Sequence, residues 1–294
     1  MNNEFKDGFS DELSNEEYHA MGEYLSNSSL KAFANDKNAI EWASLAEQDY
    51  SKMDALNFGT WFHTLFLETD DFIGRYIEEP KVNLRTNAGK DKIKRFKEIC
   101  ASYKIEPIPS DDMHKLKMMY QSAMSHPTIS ELISMSGIVS ERSYFWKDES
   151  GVMCKCRPDA FVKVTDDNRP DFLKNRLNIK NLVIDLKTIA RMDRVQSQIA
   201  ELKYHYQDEF YSRGIKFVES GDTAFIFIFV STSIGLGRYP VLVTELDDVA
   251  KLAACDDVTE LLHEYKEFTE NPTNTVGTMK LPNWAIPLDD MEIM

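Results

Sequence analysis

Cysteine is scarce and badly placed for metal binding or redox work. The 294 residues hold four cysteines, and neither two C-x-x-C pairs nor a set spaced for an iron–sulfur cluster occurs. Cys154 and Cys156 fall two apart in a strand-like stretch, so they share one face and read as small core residues. No apolar run approaches the roughly 20 residues that cross a membrane. The start, Met1-Asn2-Asn3-Glu4-Phe5, lacks the basic and then apolar regions of a secretory leader. The expectation is a cytoplasmic protein with no membrane partner. No glycine-rich phosphate loop, G-x-S-x-G elbow, Cys-His nucleophile pattern or H-E-x-x-H pair is present, which argues against nucleotide-driven motors and acyl-transfer enzymes.

Positive charge is also in deficit, with a formal net charge of −15. Net charge governs solubility and long-range steering, whereas binding follows local clusters. From Lys81 to Lys97 seven cations (Lys81, Arg85, Lys90, Lys92, Lys94, Arg95 and Lys97) face one acid, Asp91. Such a segment can hold a phosphate backbone, or it can be an ordinary solvated helix face.

What is plentiful is core material, with 43% hydrophobic and 11% aromatic residues. Without repeats or long Gly/Ser linkers, a single domain over 18–294 is expected, preceded by a loose segment at 1–17. Residues up to about 138 read as helical. Ser26-Asn27-Ser28-Ser29 starts one helix, a second spans 53–68 with the stripe Phe58, Phe62, Leu65 and Phe66, and others cover 88–102 and 110–134. A strand-rich core follows over about 139–246: Ser143–Trp146, Val152–Val164, Leu182–Lys187, Thr223–Ser231 and Tyr239–Glu245. The helical stretch 193–213 interrupts it, with Gly214 placed as a C-cap, and a C-terminal helix and tail close the chain. The fold class is α/β (α+β), a central mixed sheet flanked by helices.

Asp185 and Lys187, two apart on a strand, project from the same face. An acid and a lysine at the end of the apolar run Leu182-Val183-Ile184 are costly to bury unless they pair or bind something. Asp159, after Pro158 on the preceding strand, adds a second carboxylate. Carboxylates converging from adjacent strands suit Mg²⁺, with Mn²⁺ a plausible substitute, and a lysine nearby can position water or stabilise charge on a phosphate. Taken alone D-x-K is also a common strand-edge ion pair. Gln207 and Tyr211, four apart on the next helix, share a face that could line the same cleft. His63, alone among apolar residues, reads from spacing as a hydrogen-bonded core histidine or a ligand.

In order along the chain, several blocks resemble the nuclease domain of the RecE family (exonuclease VIII), within the PD-(D/E)xK nuclease superfamily. They are Phe58-Gly59-Thr60-Trp61-Phe62-His63, Arg85-Thr86-Asn87-Ala88-Gly89-Lys90, Met119-Tyr120-Gln121-Ser122, Cys154-Lys155-Cys156-Arg157-Pro158-Asp159, Asp185-Leu186-Lys187-Thr188, Tyr206-Gln207-Asp208-Glu209-Phe210-Tyr211, and Ser231-Thr232 with Gly237-Arg238-Tyr239-Pro240. The similarity runs from about Tyr18 to Trp284, with a longer loop at 166–180.

The resemblance implies a restriction-endonuclease-like core and a 5′-to-3′ exonuclease on double-stranded DNA ends, leaving 3′ single strands for a RecT-type annealing protein in phage-type recombination. It implies that His63, Asp159, Asp185 and the Leu186 carbonyl hold Mg²⁺, that Lys187 assists the attacking water, and that Gln207 and Tyr211 complete the site, with Glu141 a further family acid. Arg85, Lys90, Lys92, Lys94, Arg95 and Arg157 become the candidate DNA contacts, in a ring-shaped homotetramer. A structure-specific endonuclease on the same core, a non-catalytic module that binds DNA or the annealing protein, and an acidic DNA mimic are the competing readings.

Overall fold

The computed structural model describes residues 7–45 and 53–272. Residues 1–6 of the expected loose lead-in, and the tail with the end of the family resemblance at Trp284, lie outside them. The rest of that lead-in is built into the fold. Gly8–Ser10 forms strand β1, and Ser14 starts helix α1 (Asn15–Ala20) through a capping box with Glu17. Strand β2 (Leu25–Ser26) runs into α2 (Asn27–Asn35), where the Ser26 side chain accepts from the Ser29 amide as the sequence predicts.

Next come α3 (Ala39–Leu45), α4 (Met53–Leu67), α5 (Thr69–Arg75), β3 (Tyr76–Glu78), α6 (Asn87–Ser102) and β4 (Glu106–Ile108). The span 110–134, expected as one helix, divides into α7 (Ser110–Met124) and α8 (Pro127–Ile133). Pro127 has no amide to continue α7 but suits the first turn of a new helix.

The strand-rich half brings a second correction. Val152–Val164 is not one strand but two, β7 (Met153–Cys156) and β8 (Ala160–Lys163), preceded by β5 (Ile138–Ser140) and β6 (Ser143–Lys147). β6 and β7 belong to a four-stranded sheet ordered β1-β6-β7-β2. β5 and β8 belong to a five-stranded sheet that also takes β9 (Ile179–Ile189), β10 (Asp222–Ser231) and β11 (Val241–Thr244), in the order β11-β10-β9-β8-β5. The three residues Arg157, Pro158 and Asp159 carry the chain from one sheet to the other. β9 and β10 pair in parallel and the other neighbours in that sheet are antiparallel, so it is mixed, as expected.

Alternation along the central strands sorts side chains to two faces. Leu182, Ile184 and Leu186, with Ala224, Ile226 and Ile228, pack on Phe62, Phe66, Leu116 and Met119 of α4 and α7. Val183, Phe225, Phe227 and Phe229 pack on the other face, against Leu30 of α2, Phe210 of α10 (Tyr204–Glu219), and Val258 and Leu262 of α11 (Asp248–Glu270). Buried on both sides, β10 needs the unbroken apolar run 225–230. The same period of two turns Asp185 and Lys187 toward α10.

The helical stretch expected at 193–213 is α9 (Val195–Glu201) followed by α10, and Gly214 lies inside α10 instead of capping it. Its reason is packing: a Cβ there would stand 2.5–2.7 Å from three atoms of the Trp146 ring. Helix propensity favours Ala by about 1 kcal/mol, but overpacking costs about 1–3 kcal/mol. A rigid, fully buried ring wedged by Phe210 leaves the upper end of that range. Gly214→Ala is therefore expected to lose about 2 kcal/mol in a urea titration, with Trp146→Leu in the same chain restoring part of it. A stabilised Gly214→Ala would show that the ring gives way.

Candidate active site

The site begins where β8 stops. Ala160 pairs with Ile184, so extending the register sets Pro158 opposite Leu186. Proline has no amide to offer, and Leu186, paired with Ile228 of β10 on one side, is left without a strand partner on its β8 side. Two side chains take its place. Asp159 Oδ2 accepts from the Leu186 amide at 2.7 Å, and His63 Nε2, from α4, lies 2.7 Å from the Leu186 carbonyl oxygen. Because the carbonyl can only accept, Nε2 carries the proton in that bond. His63 Nε2 also lies 3.5 Å from Asp159 Oδ2.

Next door, Asp185 is fully buried. Its Oδ1 accepts from Gln207 Nε2 at 2.6 Å, and its Oδ2 meets the Lys187 ammonium at 2.7 Å without the angle of a hydrogen bond. Burial, opposed by Lys187 and reinforced by Asp159, pushes the Asp185 carboxyl above its ordinary value. For Lys187, burial acts to lower the ammonium's pKa, but Asp185 and Asp159 outweigh it, and the result lies above the ordinary value. Lys187 is thus a cation at neutral pH. Glu141 sits at the corner between β5 and β6 with φ 55°, and its amide donates to the Asp159 carbonyl at 3.2 Å. It belongs to neither strand. Partial burial and then Asp159 push its carboxyl up.

A cavity of about 840 Å³ opens over this cluster. His63, Glu141, Arg157, Leu186, Lys187 and Tyr204 are among its lining residues.

A family model described as a PDDEXK-like domain of unknown function (DUF3799) matches residues 26–273. The chain belongs to this family. Among solved structures, a candidate exonuclease from Eubacterium rectale superposes with a TM-score of 0.56 at 14% identity, covering 92% of this chain and 96% of that one. At that identity the likeness shows the fold alone; with the family match, the core is PD-(D/E)xK, restriction-endonuclease-like. The structure of SSO0001 aligns over 57% of this chain and 68% of its own, at 14% identity, with a TM-score of only 0.26, and adds nothing. No curated protein matches the chain.

Members of the PD-(D/E)xK superfamily generally use divalent metals such as Mg²⁺. In this PDDEXK-like domain no three His, Cys, Asp or Glu side chains among the described residues stand as a ready metal-binding group. His63 and Asp159 approach each other, while Asp185 is committed to Lys187 and Gln207. The donors nevertheless fit a hard cation. His63 Nε2 stands 2.7 Å from the Leu186 carbonyl oxygen and 3.5 Å from Asp159 Oδ2, so with that nitrogen deprotonated an imidazole, a carbonyl and a carboxylate offer lone pairs close together, and Asp185 Oδ2 is buried without a hydrogen bond.

Of the other expected residues, Gln207 is buried against Asp185. Tyr211 packs on Phe225, its hydroxyl pushed far up by burial, and does not line the cavity. Arg157 lines the cavity, but its guanidinium is engaged by Ser143 Oγ, the Leu13 and Ser14 carbonyls and the Tyr18 ring. Arg85, Lys90, Lys92, Lys94 and Arg95 are exposed on α6 and the turn before it, and none lines the cavity. The α6 cations thus stand off this cavity, while Arg157 lies on its wall. Two residues went unremarked in the sequence. Tyr204 lies one turn before Gln207, so the i−3 spacing would have found it. Glu68, on the cavity wall beside Asp71, carried no such signal.

Proposed function

We propose that the protein is a Mg²⁺-dependent deoxyribonuclease acting on the ends of duplex DNA. The observation that supports this most strongly is the convergence of His63, Asp159 and the Leu186 carbonyl beside the Asp185–Lys187 pair, at the point where Pro158 ends a strand pairing. The residues that would hold the ion are His63, Asp159, Asp185 and Leu186. When bound, a divalent cation there lowers the pKa of a water and neutralises charge on the scissile phosphate.

The chain's own groups divide the remaining work. Lys187, held as an ammonium by two carboxylates, donates to the phosphate and offsets charge that grows as the water attacks. Gln207 fixes the Asp185 carboxylate by its 2.6 Å hydrogen bond. Glu141, whose carboxyl is pushed up, faces the cavity as a group able to take or give a proton.

An exonuclease is preferred to an endonuclease on the strength of the ordered RecE-type blocks, and the Eubacterium rectale protein bears the same description. The 5′-to-3′ polarity, the recombination role with an annealing protein of the RecT type, and the homotetrameric ring belong to the same proposal. The test is cleavage of linear against covalently closed circular duplex, with Mg²⁺ and with EDTA. Loss of the linear DNA alone, abolished by EDTA, is the expected result. Cutting of both forms would replace the proposal with an endonuclease, and no cutting with Mg²⁺ or Mn²⁺ would leave a binding module.

A further inference from the structure

Lys187 is held by more than its acid. Tyr204, the first residue of α10, places its ring centre 5.1 Å from Lys187 Nζ, and the ring rests on Phe227 and Phe229 at 6.1 and 6.2 Å. Those phenylalanines belong to β10, buried on both faces, and Phe229 is Lys187's register partner across β9 and β10. A second ammonium, Lys31 of α2, stands 6.0 Å from the same ring centre, anchored by the Leu202 carbonyl at 3.2 Å. Two cations near one aromatic ring draw on its quadrupole and repel each other, and Asp185 Oδ2 stands 2.7 Å from Lys187 Nζ.

Three residues further along α10, Gln207 grips Asp185. One helical turn therefore reaches both members of the D-x-K pair, the acid through an amide hydrogen bond and the lysine through an aromatic ring. We propose that Tyr204 is the positioning residue for Lys187: its ring face holds the ammonium at the cavity wall, in reach of a bound phosphodiester. The assignment rests on the nuclease reading for its consequence in catalysis, though the restraint on Lys187 exists without it. The hydroxyl has no part in it, so Phe should serve and an aliphatic side chain should not.

The experiment compares Tyr204→Leu, Tyr204→Met and Tyr204→Phe with the wild type on a linear 30-base-pair duplex, together with the reductive methylation rate of Lys187 followed by mass spectrometry. Leu and Met are expected to lower kcat roughly 10- to 30-fold, the size of a partly desolvated cation–π contact, with KM little changed. Tyr204→Phe should restore kcat. Methylation of Lys187 should speed up several-fold in Leu and Met and stay slow in Phe.

A merely structural Tyr204 would instead lower the melting temperature of all three variants and leave kcat per folded molecule unchanged, which overturns the proposal. Tyr204→Phe as impaired as Tyr204→Leu also overturns it. Should the wild type cleave nothing, the nuclease reading fails by itself. The methylation rates then decide the positioning role: faster labelling confined to the aliphatic variants sustains it, and equal rates end it.

Discussion

Asp185→Asn is expected to lower cleavage of linear duplex DNA by at least ~10³-fold, about 4 kcal/mol of transition-state stabilisation, while DNA affinity stays within a few-fold. The amide keeps the volume and can still accept from Gln207 Nε2, so what it removes is charge. That charge holds Lys187 as an ammonium, and under the proposed function it would also contribute to cation binding beside Asp159. Affinity for the duplex is expected to survive because the exposed cations of α6 are remote from this pair and do not line its cavity. Leaving Lys187 buried without a partner also destabilises, so the melting temperature is measured alongside. The double variant Asp185→Asn, Lys187→Met removes both charges and should recover the stability but not the activity. Cleavage retained by the folded single variant would remove Asp185 from the active site.

The second large effect concerns stability. Asp208, next to Gln207, is 4% exposed, accepts only from Ser212 through Oδ1, and leaves Oδ2 without a hydrogen bond. Burial, countered by Lys251 and Ser212 and reinforced by Glu209 and Glu245, pushes its carboxyl up from 3.8 to about 7. The folded chain therefore holds a proton that the unfolded chain releases between about pH 4 and 7. Stability from this group is full below pH 4 and is lost as pH rises through 7. Asp208→Asn removes the charged state and should be more stable than the wild type at pH 8 by on the order of 2–4 kcal/mol, with little gain at pH 4. Parallel urea titrations at the two pH values read the difference directly. An equal gain at both would mean that Asp208 is ionised in the fold and satisfied by Lys251.

Much of the framework could be read along the chain because its signals are local. The Ser26 cap, the apolar stripe of α4 and the unbroken run of β10 each carry their period in a dozen residues. The pair Asp185 and Lys187 was legible for the same reason, and Pro158-Asp159 for its place just before a strand. Failures came where a remote partner decided. Gly214 looked like a cap until Trp146, 68 positions earlier, was found against it. Val152–Val164 looked continuous because both halves are apolar, and only the exchange of sheets at Arg157–Asp159 divides it. His63 could not be told from a core histidine, since its partner is the Leu186 carbonyl, 123 positions away. The basic segment was visible, but its distance from the cavity was not.

The passage between the two sheets has a mechanical consequence. Asp159 closes the three-residue link from β7 to β8, and Glu141 occupies the matching corner between β5 and β6, so both acids sit on the two threads that join the sheets. Leu186, by contrast, is fixed within one sheet. The hydrogen bond from the Leu186 amide to Asp159 therefore ties the end of that link to the larger sheet, one residue before Ala160 pairs with Ile184. A substitution that shifts β7 against the larger sheet would load that hydrogen bond through the link, without changing either of its partners.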